Sequence, residues 1–179
     1  MTIEEREQLD YEALRQFKEM YGKDDVELHK MPQYSKYDAY TSKDQHTIAV
    51  IEVKTREKYS IDDFSTFLLS LHKIDELQQA KRLENAQRAI LVAFYPKDNK
   101  TIVFDLTNLT ANDCDILWKN TWKTHYDQKQ KQPQPYAVLS LIEGTYKHYS
   151  VKIFDQTLDF LLKHSTFEQS TTKTFIITQ

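Results

Sequence analysis

The run His46-Thr47-Ile48-Ala49-Val50-Ile51 leads into Glu52-Val53-Lys54, and no other part of the chain constrains the fold as much. Its apolar and β-branched content predicts a strand. Side chains alternate along a strand, so Glu52 and Lys54 share one face with Cα atoms about 6.6 Å apart, while Ile51 and Val53 turn the other way into a core. Asp38 lies in Tyr37-Asp38-Ala39-Tyr40, a segment able to pair with that strand as a hairpin through the polar turn Thr41-Ser42-Lys43-Asp44-Gln45. Such pairing brings Asp38 to Glu52. Two close carboxylates repel each other and raise a pKa unless a divalent cation lies between them. The pattern therefore predicts a metal site with a lysine at its edge.

Other chemistries lack their parts. Gly22 and Gly144 are the only glycines, which removes Gly-rich phosphate loops and dinucleotide fingerprints. Cys114 stands alone, so there is no intramolecular disulfide and no multi-cysteine zinc site, and the six histidines show no ligand spacing. A formal net charge of -3 means that a nucleic-acid surface must be a local patch. No apolar run approaches the roughly 20 residues that span a membrane. The chain is expected to be soluble and cytoplasmic, with no membrane partner.

At 179 residues the chain reads as a single domain, 1–179. Thr2-Ile3-Glu4-Glu5 is a capping box, followed by Leu9, Ala13, Phe17 and Met20 at helical spacing until Gly22. Val26 to Met31 alternates as a strand, and the Asp38 segment and Thr47 to Thr55 supply two more. From Ser60 a long helix is predicted, with Phe64, Phe67, Leu68, Leu71, Ile74, Leu77 and Leu83 on one stripe. Ala89 to Tyr95 is a buried strand turned back by Pro96-Lys97-Asp98-Asn99 into Thr101 to Phe104. Beyond it we expect a helix over 112–126, a polar loop over 127–135, a strand over 136–142, a helix over 154–164 and a last strand over 173–178.

The order helix, three strands, helix, two strands, with Tyr37-Asp38 and Ile51-Glu52-Val53-Lys54 placed within it, resembles the PD-(D/E)xK nuclease superfamily. The resemblance covers about residues 3–106, and 107–179 reads as a C-terminal extension. It implies an α/β restriction-endonuclease-like fold, a mixed sheet flanked by helices with an αβββαββ core. Tyr37 stands where the motif's name has proline. The resemblance further implies that Asp38 and Glu52 hold Mg2+ or Mn2+ with the Val53 backbone carbonyl, and that Lys54 orients or activates the attacking water. An extra acidic ligand from the first helix would be Glu12 or Asp10; Asp10 lies nearer the apolar arc. Lys73 and Gln78 fall where related nucleases place a phosphate-binding Lys or Gln.

Each signal has a plainer reading. Glu-x-Lys at a strand end is commonly a solvated face, and Glu12, Asp10, Lys73 and Gln78 are each at home on a helix surface. Trp118, Trp122 and Tyr126, with Lys119 and Lys123 adjacent, read either as core packing or as an aromatic and basic face for nucleotides. The expected function is a Mg-dependent nuclease acting on nucleic acid, DNA rather than RNA, as a homodimer or within a larger nuclease assembly. The alternative is a non-catalytic DNA- or protein-binding subunit that keeps the nuclease fold.

Overall fold

The computed structural model describes residues 2–21, 25–32, 35–122 and 131–156. Helix α1 spans Ile3–Tyr21. Its capping box forms as the sequence predicts, with the Thr2 amide donating to the Glu5 carboxylate at 2.7 Å and the Glu5 amide donating to Thr2 Oγ1 at 3.1 Å. Strands β1 (Glu27–Lys30), β2 (Ala39–Lys43) and β3 (His46–Thr55) follow. The β2–β3 hairpin closes through Asp44 and Gln45, both with positive φ (50° and 66°), the handedness that matches the twist of paired strands.

Strand β4 (Thr66–Ser70) leads without a loop into α2 (Leu71–Leu83), and β5 (Arg88–Tyr95) and β6 (Lys100–Asp105) form the next hairpin. The later chain supplies β7 (Ile116–Trp122), β8 (Lys131–Ser140), β9 (Gly144–Thr145) and β10 (Ser150–Asp155). Among the described residues seven strands form a mixed sheet, ordered β1-β2-β3-β5-β6-β10-β9, in which β3 and β5 run parallel. A smaller antiparallel sheet has the order β4-β8-β7.

This is the expected α/β architecture, a mixed sheet with a helix on each face. Leu14 and Phe17 of α1 pack on Ile51, Val53, Val92 and Phe94. Ile74 and Leu77 of α2, with Phe67 and Leu139 of the small sheet, pack on the opposite face against Val50, Leu91 and Phe104. The alternation expected along β3 holds: Ile51 and Val53 enter the α1 side and Glu52 faces the α2 side.

Four sequence expectations need correction. The helix from Ser60 begins only at Leu71, because Phe67 and Leu69 are buried in alternation and β4 pairs with β8 along its whole length. Those residues fit a helical stripe equally well; the distant partner decides. The 112–126 helix is instead a short 3-10 turn at Ala111–Asp113 followed by β7. The polar loop gives way to β8 at Lys131, so Pro133 and Pro135 lie within a strand. The Val138 amide bonds toward β7, at Asp115, so the odd-numbered positions of β8 face β4, and β4 ends opposite Tyr136. The prolines therefore lack an amide proton only where no ladder partner asks for one. Finally, Phe154 and Asp155 close β10, so the helix expected from 154 starts no earlier than Gln156, which is helical; residues 157–164 and the strand expected over 173–178 lie outside the described residues. No described helix is long and apolar enough to cross a membrane.

Candidate active site

The site is built where β2 begins and β3 ends. Tyr37, 6% exposed, anchors its ring in the core on the α2 side and so fixes the residue after it. The Asp38 amide donates to the Ile51 carbonyl at 2.9 Å, and the Asp38 carboxylate accepts the Val53 amide at 2.7 Å. The amide and carbonyl of one strand residue project to the same edge. The Val53 carbonyl thus opens toward Asp38, past the start of β2.

Glu52 is 2% exposed and ion-paired to Lys54, with Lys73 Nζ at 3.4 Å from the same carboxylate oxygen. Burial raises the Glu52 pKa above the usual carboxylate range, Asp38 pushes it further, and the two lysines oppose the rise. Lys73 also reaches Glu76 at 3.1 Å. Burial opposes its charge, yet the Glu52 and Glu76 carboxylates hold its pKa above the ordinary value.

Asp10 comes from the other face of the sheet. Its carboxylate accepts the Thr55 hydroxyl at 2.7 Å. Burial raises its pKa, with the Thr55 hydrogen bond opposing and Asp38 adding to the rise. Glu12, the other acid considered on α1, turns away to Arg15, with its pKa lowered chiefly by hydrogen bonding to that guanidinium. Asp38, Glu52, Lys54, Lys73 and Asp10 therefore form one electrostatic cluster, and Glu12 is outside it. Asp10 could be found from sequence because it sits four residues before Leu14 and seven before Phe17, on the buried arc.

The other expected residues are dispersed. Gln78 donates to the carbonyls of Leu106 (2.6 Å) and Leu109 (2.9 Å), so it braces the segment after β6 rather than facing the cluster. Lys119 is on β7, where strand alternation puts it on the face opposite Trp118, and Trp118 is 64% exposed. Over 116–122 the chain is therefore a strand, and among the described residues Trp118 and Lys119 do not share a helix face. The Trp122 side chain, Lys123 and Tyr126 lie outside the described residues.

Among the described residues no three His, Cys, Asp or Glu side chains converge closely enough to ligate one ion by themselves. The donor set is sparser: Asp38, Glu52 and the Val53 carbonyl, with Asp10 behind. That fits a hard cation that keeps several waters, as magnesium does, and Asp10 and Glu52, both raised by burial and by the nearby Asp38 carboxylate, are acids that a cation would relieve.

No protein-family model matches the sequence, and no curated protein matches it. Among solved structures the chain is similar to Hjc, a Holliday junction resolvase from Archaeoglobus fulgidus, at 14% identity and a TM-score of 0.39, over 71% of this chain and 95% of that one.

Proposed function

We propose that this chain is a divalent-cation-dependent nuclease of the PD-(D/E)xK type that hydrolyses DNA phosphodiester bonds, with Mg2+ or Mn2+ as cofactor. The observation that carries the reading is the meeting of Asp38 and Glu52 about the Val53 backbone with the Lys54 ammonium on Glu52. Asp38, Glu52 and the Val53 carbonyl would hold the cation, and Asp10 would accept hydrogen bonds from its waters. A cation bound there supplies Lewis-acid polarisation of the phosphoryl oxygen and eases deprotonation of a nearby water. Lys54 and Lys73, whose ammonium groups meet at the Glu52 carboxylate, would donate to the phosphate and counter the charge that builds on its oxygens in the transition state.

The same two lysines support a second reading, a non-catalytic subunit in which they neutralise Glu52 permanently and no cation enters. One experiment separates the two. Purified protein is incubated with linear and circular, single- and double-stranded DNA and RNA in magnesium, manganese, calcium or EDTA. The nuclease reading expects cleavage in magnesium or manganese, none in EDTA, and a loss of about a hundredfold or more in Asp38→Ala and Lys54→Ala, each variant still showing a cooperative thermal transition. Absence of cleavage under every condition, with binding retained, overturns it in favour of the subunit.

A further inference from the structure

The face of the small sheet turned away from the core, together with Tyr95 and the segment 56–65, encloses a cleft of about 470 Å³. Pockets for small ligands fall in the range of about 300–1,000 Å³. Arg56 stands at its inner end. It follows Lys54 by two residues, and its amide continues the β3–β5 ladder by donating to the Phe94 carbonyl at 2.7 Å. The cleft therefore begins where the carboxylate cluster ends.

The Arg56 guanidinium lies 4.3 Å from the Phe67 ring centroid, and its Nη2 donates to the Leu68 carbonyl at 3.3 Å. Burial pulls its pKa below the usual value, and the groups acting on it are the hydroxyls of Tyr95, Tyr59 and Tyr136. Among the described residues no carboxylate pairs with it and none lines the cleft, while Lys119 adds a second cation. In a chain with 27 acidic against 24 basic side chains, this is a local reversal of charge. A guanidinium retaining free donors in a partly desolvated site is a receptor for an anion.

The outer wall is aromatic. Tyr59 and Phe64 meet edge to face, with centroids 5.2 Å apart at 74°, although they are 46% and 53% exposed. They are held in place: the Asp98 carboxylate accepts the Ser60 hydroxyl at 2.8 Å and the Ile61 amide at 2.6 Å, and Lys97 donates to the Lys58 carbonyl at 2.8 Å. Rigid exposed rings beside cations are what sequence-tolerant binding of single strands requires.

We propose that this cleft binds an unpaired nucleotide of the strand entering the carboxylate cluster, with its base against Tyr59 and Phe64 and its phosphate toward Arg56 and Lys119. This rests on the nuclease reading only for the direction in which the strand continues. A base inside a duplex must first be unstacked to reach such a wall, so single-stranded or frayed nucleic acid is the preferred substrate class.

The test uses a short single strand carrying 2-aminopurine, titrated into the full-length protein in EDTA, where no cleavage occurs. Expected are saturable fluorescence quenching, weakening of affinity by about tenfold in Tyr59→Ala and Phe64→Ala, and a salt slope reduced by about one in Lys119→Ala. The blunt duplex of the same sequence should bind more weakly. Arg56→Lys, which keeps the charge, should also lose affinity because the fork geometry is gone. Wild-type affinity in the Tyr59, Phe64 and Lys119 variants, or preference for the duplex, overturns the proposal whether or not the protein cleaves. Ring-dependent quenching without any cleavage in magnesium would instead sink the nuclease reading and leave the cleft standing.

Discussion

At the scale of single residues, Glu52 is held by opposing forces. Its burial and the neighbouring Asp38 favour the protonated acid, while Lys54 and Lys73 favour the anion, and the balance leaves its pKa raised. Asp10 is raised too. A group with a raised folded-state pKa binds more protons folded than unfolded, so its stabilising contribution is complete below the ordinary carboxylate value, about 4.3 for Glu, and is lost as pH rises through the folded value. In metal-free protein, Glu52→Gln should therefore raise the thermal midpoint by a few degrees at neutral pH, and the difference from wild type should shrink toward zero as pH falls below that ordinary value. Calorimetric scans across pH check this; a midpoint lowered at neutral pH would mean that the lysine pairs outweigh desolvation. Adding magnesium at a hundred times its Kd should stabilise wild type by about 2.7 kcal/mol and leave Glu52→Gln nearly unmoved.

At the scale of elements, the small sheet and α2 are built on two features with separable costs. Phe67 of β4 is 2% exposed and packs against Phe104 with ring centroids 5.4 Å apart, so Phe67→Ala should destabilise by about 3–5 kcal/mol. Asn85 ends α2 with φ of 50°, and the Ala86 amide donates back to the Lys81 carbonyl at 2.9 Å. Asn85→Ala puts an ordinary residue in a left-handed conformation and should cost about 1 kcal/mol, whereas Asn85→Gly should be neutral or better. Denaturant unfolding measures all three. The same elements show how far sequence carries. Where the local pattern has one solution it was legible: α1 with its capping box, the β2–β3 hairpin, the buried β5 and the alternation that sets Glu52 against Ile51. Thr66–Ser70 and Ile116–Trp122 were not, since short amphipathic segments satisfy both periods and the choice rests on pairing with β8, more than sixty residues beyond β4. Asp10 was visible on its helical arc; Arg56 was not, because nothing local says which acids a cation will lack.

At the scale of the whole molecule, the part resembling a nuclease core is not closed by residues 3–106. Strand β10 pairs with β6 along its whole length, and β8 covers β4 with Ala137 and Leu139, both buried. Losing β8 and β10 strips partners from β4 and β6 and exposes Phe67, Leu69 and Phe104, each worth roughly 1.5–3 kcal/mol of burial. A fragment of residues 1–106 should therefore lack a cooperative thermal transition and show poorly dispersed amide resonances, where the full chain shows both transition and dispersion. A folded fragment would mark residues 107–179 as an accessory.

The junction of β4 and α2 has a mechanical side. Ser70 ends the strand and Leu71 begins the helix, so no slack chain separates the wall of the cleft from Lys73, two residues into α2. Phe67 and Leu68, which receive the Arg56 guanidinium, precede by six and five residues the lysine whose ammonium reaches Glu52. The wall of the cleft and the helix that carries Lys73 thus share one support, the single backbone junction between Ser70 and Leu71.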